Sequence, residues 1–277
     1  MLEVPEAYVQ ARQLNETVMH RTIRRVTVNG HPHKLCFYWG DSAQYPDLLT
    51  EQTLTAAAAH GGMIELALGS LRLVFNDGAN LRWSAADVQP PAKHQLLLDL
   101  DDGSWLSASV LMYGGIWAFE EGTVDNPYYQ AALEKPSPLT PAFDESYFAG
   151  LVGQNANRRL SAKAFLATEQ RIPGVGNGVL QDILFRARVH PRSSIQRLGD
   201  AELEQLFRSV KETLRQMTEQ GGRDTEKDLY GRRGGYATLL SSKTYTDPCP
   251  VCGGTVRKEP YLGGSIYSCL SCQVAAV

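Results

Sequence analysis

The chain has 277 residues, which at roughly 100–200 residues per domain predicts about two domains. Hydrophobic residues make up 43% and charged residues 21%, enough for a packed core, and this excludes a disordered, collagenous or coiled-coil architecture. The net charge of −3 hides an asymmetry: residues 1–150 carry 9 Lys and Arg against 18 Asp and Glu, whereas residues 151–277 carry 18 against 12. A basic C-terminal half suggests a polyanionic partner, although ordinary variation between domains gives the same pattern. No apolar run reaches the ~18–20 residues of a membrane span. The start, Met1-Leu2-Glu3-Val4-Pro5-Glu6, has acids where a signal peptide would be basic and then apolar. A soluble, cytoplasmic, monomeric protein is expected.

From the N-terminus to Gln130 the chain reads mostly as β-structure. A helix near Pro5–Leu14 comes first and a short one around Pro46–Glu51 follows. Strands fit Ile23–Val28, Lys34–Tyr38, Met63–Leu68, Leu71–Phe75, Gln95–Leu100 and Trp105–Leu111. Turn signals break them: Asn29-Gly30, Gly61-Gly62, Asn76-Asp77-Gly78 and Asp102-Gly103. Many short strands with hairpin turns suggest a sandwich or barrel.

Prolines 136, 138 and 141 then mark a junction that neither a helix nor a central strand would tolerate. Beyond it the pattern is helical. Helices fit Asp144–Val152, Ser161–Thr168 and Gly178–Arg186. Asp200 caps a longer one whose apolar positions, Leu203, Leu206, Phe207, Val210, Leu214 and Met217, step by three and four. Gly221-Gly222 ends it. The chain therefore divides into residues 1–134, 135–245 and 246–277.

The tail carries the most specific signal. Cys249-Pro-Val-Cys252 and Cys269-Leu-Ser-Cys272 are two CxxC pairs, and the chain between them is long enough for one hairpin. Four thiolates at that spacing suit one tetrahedral Zn²⁺. With every position filled by protein, the metal would be structural. The fifth cysteine, Cys36, lies between Leu35 and Phe37 and reads as a small core residue.

The second signal is Pro173-Gly174-Val175-Gly176-Asn177-Gly178, just before a helical run. Exposed N–H groups at such a turn can hold a phosphate, with Asn177 adding a donor. A tight connection between helices has the same sequence. Arg158, Arg159, Arg171, Arg186, Arg188 and Arg192 surround it, either as an anion site or as a soluble helix surface.

Together these segments resemble the formamidopyrimidine-DNA glycosylase/endonuclease VIII family. Residues Ala167–Pro191 look like its helix–two-turn–helix, Leu2–Glu6 like its N-terminus and the CxxC pairs like its zinc finger. The resemblance implies an α+β protein: a β-sandwich, a helix–two-turn–helix domain and a zinc ribbon. It further implies a DNA repair protein, a glycosylase and abasic-site lyase, that flips a damaged base out of duplex DNA and attacks the sugar C1′ with an N-terminal amine. Glu3 would be the acid. Asn177, Gly176, Arg171 and Tyr113 would touch DNA, Tyr113 in place of an intercalating Phe.

This chain departs from the family at several such positions. Leu2 stands where the family has a terminal proline, and Met1, preceding a large residue, is expected to stay. Met63 is read in place of a catalytic lysine, Gly264 in place of a phosphate-binding arginine, and Leu111 or Met112 in place of an arginine that fills the vacated base position. A replacement nucleophile would be the Met1 amine or Lys34 of the His31-Pro32-His33-Lys34 cluster, which otherwise reads as an exposed loop. The expected function is recognition of damaged or abasic duplex DNA with excision chemistry. The alternatives are a catalytically silent nucleic-acid binder and a scaffold turned to structured RNA.

Overall fold

The computed structural model describes residues 1–276. Helix α1 (Val4–Thr17) opens the chain with Pro5 in its first turn. Strands β1 (Ile23–Val28) and β2 (Cys36–Tyr38) follow, then helix α2 (Tyr45–Leu49). Strands β3 (Ala56–His60), β4 (Met63–Leu68), β5 (Leu71–Ser84), β6 (Leu96–Leu100) and β7 (Trp105–Glu120) complete one seven-stranded sheet. Its order is β1-β6-β7-β5-β4-β3, with β2 added in parallel to β7 at Gly114–Ile116.

The two long strands organise this half. β5 and β7 pair from Leu71↔Glu120 to Ser84↔Trp105, with a register shift between Asp77 and Ala79. One end of β5 also pairs with β4, and the opposite end of β7 pairs with β6. Each long strand thus serves both ends of a folded-over sheet. Asn76-Asp77-Gly78 is therefore a bulge within a strand rather than a hairpin turn, which corrects the expected ends at Phe75 and Leu111. The bulge places Asp77 at φ +48° and brings Gly78 against the Tyr113 carbonyl, where a side chain would clash.

Helix α3 (Pro127–Glu134) leads to the proline-rich segment. Helices α4 (Glu145–Gly153), α5 (Asn155–Arg158), α6 (Ala162–Ala167), α7 (Val179–Arg186) and α8 (Asp200–Glu219) follow. Asp144 and Ser161 cap α4 and α6 through their side chains. In α8 the cap is Gly199, immediately before the expected Asp200, and Glu202 accepts from its N–H. Leu206, Phe207, Val210, Leu214 and Met217 are buried, as the periodicity requires. The last hairpin, β8 (Val256–Tyr261) and β9 (Gly264–Cys269), turns at Leu262-Gly263, both at positive φ.

Two main apolar cores result. Leu14, Ile23, Leu66, Leu73, Phe75 and Leu106 belong to the sandwich core, and Phe143, Phe165, Leu180, Leu184 and Leu214 to the helical one. α1 contributes to both, Val4 to the helical core and Ala7 and Leu14 to the sandwich. Leu229 crosses in the opposite direction into the sandwich core.

Candidate functional site

The N-terminus threads between the two halves. The Leu2 N–H donates to the Asp77 carbonyl (2.7 Å) on the sandwich side, and the Val4 N–H donates to the Gly174 carbonyl (3.0 Å) on the helical side. Glu3, between them, is 2% exposed. Its carboxylate does not cap its own helix. Oε1 accepts from the Gly178 N–H (2.9 Å) and Oε2 from the Val179 N–H (2.7 Å), at the start of α7. The glycine turn expected to hold a phosphate thus holds a carboxylate of the chain itself, where the helix dipole favours negative charge. Gly176 must lack a side chain, because a Cβ would lie 2.6 Å from Glu3 Oε1. Gly174, at φ +79°, packs backbone to backbone on Gly61-Gly62.

A residue that the sequence does not single out completes this centre. Arg223 is 2% exposed and lies between two carboxylates. Its Nη1 is 3.2 Å from Glu3 Oε2, while Nε and Nη2 donate to the two Glu6 oxygens at 2.9 and 2.7 Å. Two neighbouring acids at a helix start ask for a cation, and the pair Glu3/Glu6 is that signal. Burial pushes the Glu3 carboxyl above the usual carboxylate range, reinforced by Glu6 and opposed by Arg223 and the two N–H donors.

Around Glu3 lies a cavity of 540 Å³, walled by sandwich, glycine turn and ribbon hairpin. Met1, Asp77, Met112, Tyr113, Asn177 and Lys163 are among the residues that line it. Asp77 and Tyr113 are exposed on the cavity wall, where partial desolvation raises the carboxyl of the one and the phenol of the other, Tyr113 also facing Asp77 and Glu3. The Met1 ammonium is 2.6 Å from Glu226 Oε2. Leu111, Met112 and Tyr113 stand exposed in mid-strand, Leu111 at 79%, next to the bulge in β5.

Several expected site residues take other places. Arg171 does not face solvent. Its guanidinium donates to Asn157 Oδ1 (2.7 Å), to Thr168 and Ala164, and pairs with Glu169, tying the turn before α7 to the preceding helices. Lys34 is exposed on the loop before β2 and does not line the cavity. Met63 packs among Val74, Trp117 and Phe119. Gly62, immediately before it, backs on Leu2 and Glu3, and Met63 itself adds an apolar side chain to the cavity around Glu3. Asn177 lines the cavity, but its Nδ2 donates to the Ser265 carbonyl (3.0 Å) of the ribbon, which the bare Gly264 allows to approach.

The ribbon is fastened to α7 and α6. Gln181 accepts from the Tyr267 N–H (3.0 Å) and donates to the Ser265 carbonyl (3.1 Å), and Lys163 Nζ donates to the Tyr261 carbonyl (2.6 Å). At its base the sulfurs of Cys249, Cys252, Cys269 and Cys272 all lie within 4.8 Å of one another. Tetrahedral Zn²⁺ with bonds of about 2.3 Å separates sulfurs by about 3.8 Å, so the quartet fits a metal. Cys36, half-buried beside the sandwich core, takes no part.

A family model described as the formamidopyrimidine-DNA glycosylase H2TH domain matches residues 135–228. Formamidopyrimidine-DNA glycosylases of Symbiobacterium thermophilum and Alkalilimnicola ehrlichii are each 30% identical over 285 residues, covering 99% of this chain and 89% and 100% of theirs. The chain belongs to the formamidopyrimidine-DNA glycosylase family. The MutM (Fpg) protein of Thermus thermophilus is similar in structure, with a TM-score of 0.80 at 25% identity over 99% of each chain. The Lactococcus lactis Fpg in complex with DNA containing an abasic site shares the fold, with a TM-score of 0.82 at 20% identity, covering 98% of this chain and 99% of that one. Against this family background, the α+β architecture, the helix–two-turn–helix and the four-cysteine ribbon are intact. Among the described residues, no helix is long and apolar enough to cross a membrane.

Proposed function

We propose that this chain recognises damaged or abasic duplex DNA in the cleft around Glu3, and that the ordinary terminal-amine route to base excision is closed to it. The observation that carries the reading is the 540 Å³ cavity, which opens between the sandwich and the glycine turn and is large enough for an extruded nucleotide. Tyr113, with Leu111 and Met112, supports the duplex where the nucleotide leaves it. Although the α7 N–H groups hold Glu3, Gly176 and Asn177 line the cavity, and the second Nδ2 hydrogen of Asn177, beyond the one given to Ser265, is left to meet a phosphate. The exposed Arg158, Arg159 and Arg188 on the helical half supply the phosphate contacts that the cavity lining, which has no arginine, does not. One Zn²⁺ on the four cysteines holds the ribbon as the third wall. A single copy encloses the cavity, which suits a monomer.

The closed route follows from the N-terminus. Leu2 nitrogen is a peptide amide that donates to Asp77, and an amide cannot form a Schiff base. The Met1 amine is engaged by Glu226 Oε2 at 2.6 Å. The silent-binder alternative rests on these same two observations. The test is a salt-controlled titration against duplexes that differ only by one tetrahydrofuran abasic analogue. Preference for the analogue over undamaged duplex and duplex RNA is expected, and equal affinity for all three would refute the reading. Asn177→Ala should weaken duplex binding by about 1–3 kcal/mol. Oxidised purines should be excised little or not at all.

A further inference from the structure

We propose that Lys163 is the amine that forms a Schiff base with the opened sugar of an abasic site, an inference that rests on the cleft being the abasic-DNA site argued above. Among the described residues, two primary amines line the cavity, Met1 and Lys163. Their surroundings differ in a way that decides between them. Met1 is 38% exposed, and its amine is engaged by the Glu226 carboxylate at 2.6 Å. Lys163 is 3% exposed, and its Nζ hydrogen-bonds to a neutral carbonyl, Tyr261 O at 2.6 Å. A buried ammonium without an anion is the costly form of lysine, and desolvation lowers the Lys163 pKa. The neutral amine can still donate one N–H to Tyr261 while its lone pair remains free. Helix α6, capped by Ser161, and the ribbon hairpin fix the two ends of this arrangement.

The step balances with groups on the cavity wall. The Nζ lone pair adds to the C1′ aldehyde of the opened sugar, and an N–H proton passes to the aldehyde oxygen. A wall carboxyl then relays from solvent the proton with which water leaves, giving the iminium. Asp77 suits this role better than Glu3. Its carboxyl is exposed on the cavity wall, whereas both Glu3 oxygens are already engaged by Gly178, Val179 and Arg223. The Asp77 carboxylate takes back the C2′ proton, the electron pair breaks the C3′–O bond, and the 3′ phosphate is released. Water hydrolyses the conjugated imine and returns the lysine. No base is expelled, so the activity is that of an abasic-site lyase.

The experiment is borohydride trapping of the full-length, zinc-loaded chain on duplex DNA with one natural abasic site. A covalent adduct is expected, and peptide mass mapping of the unmodified chain should place it on Lys163. Lys163→Arg, checked for folding by zinc content and thermal melting, should reduce trapped adduct at least about 50-fold, because guanidinium is not a usable nucleophile at neutral pH. Lys34→Ala should trap as the unaltered chain does. An adduct mapped to Met1, or no adduct from protein that binds the tetrahydrofuran duplex selectively, would overturn the assignment of Lys163 alone. Absence of selective binding to that duplex would overturn the functional reading as well.

Discussion

The N-terminal segment and the C-terminal ribbon face each other across one cavity, yet they are held in different ways. The ribbon gathers four cysteines at its base, turns once between its two strands and hydrogen-bonds to α7. The N-terminal segment buries Glu3 between the two lobes, with Leu2 beside it. Leu2 is an amide bound to Asp77, and Glu3 is enclosed by Arg223, Gly178 and Val179. A wall can change its surface and remain a wall. A reacting group cannot change its bonding and still react. The comparison separates what maintains the cavity from what acts within it.

The comparison breaks most decisively at the metal. Cys269→Ser should reduce bound zinc from about one equivalent to near none and release the ribbon from α7, whereas Cys36→Ser should leave metal content unchanged. Atomic absorption and a thermal melt check both. On the opposite side, Arg223→Ala leaves Glu3 and Glu6 buried without their cation. Denaturant unfolding should show a loss of about 3–5 kcal/mol, with zinc content intact. Gly176→Ala tests the enclosure of Glu3 more gently. Its Cβ would push Oε1 from the α7 N–H groups, at a cost of about 1–3 kcal/mol, again without loss of zinc.

The smallest effect is a slope. Lys163 has a lowered pKa in the folded chain, so between that value and the ordinary lysine range the unfolded chain binds more protons. Stability should therefore gain from this group as pH rises through that window, and the contribution is absent below it. Lys163→Met should flatten the corresponding part of the stability–pH curve. An unchanged slope would show that the folded and unfolded chains protonate this lysine alike.

Much of the scaffold is legible in the sequence because its signals are local. The step of three and four along α8, the CxxC pairs and the glycine turn each depend on neighbours within about a helical or hairpin length. The long strands are legible only in part. Asn76-Asp77-Gly78 has the composition of a turn, and only pairing with Gly114 and Gly115, far along the chain, makes it a bulge. The strand Ala56–His60 escapes a reading of sequence because alanines favour helices and only its partner β4 makes them extended. At the site, Glu3 and Asn177 are legible as residues but their partners are not. Arg223 belongs to the opposite end of the chain from Glu3, and nothing near it in sequence marks it as buried. Arg171 misleads for the converse reason. An arginine beside a phosphate-type turn looks available until the neighbouring helices provide Asn157, Ala164 and Thr168 as acceptors.

Helix α1 has a consequence for how the molecule comes apart. Val4, at one end of this rigid rod, is fully buried in one core, and Leu14, near the other end, is fully buried in the second. Neither lobe can lose its packing without exposing apolar surface that α1 holds for both. Cooperativity is then a property of the whole chain rather than of either lobe, and heating should give one transition in which both cores are lost together. The rod also sets the gap between the lobes. A duplex entering the cleft meets two lobes joined through this one shared helix.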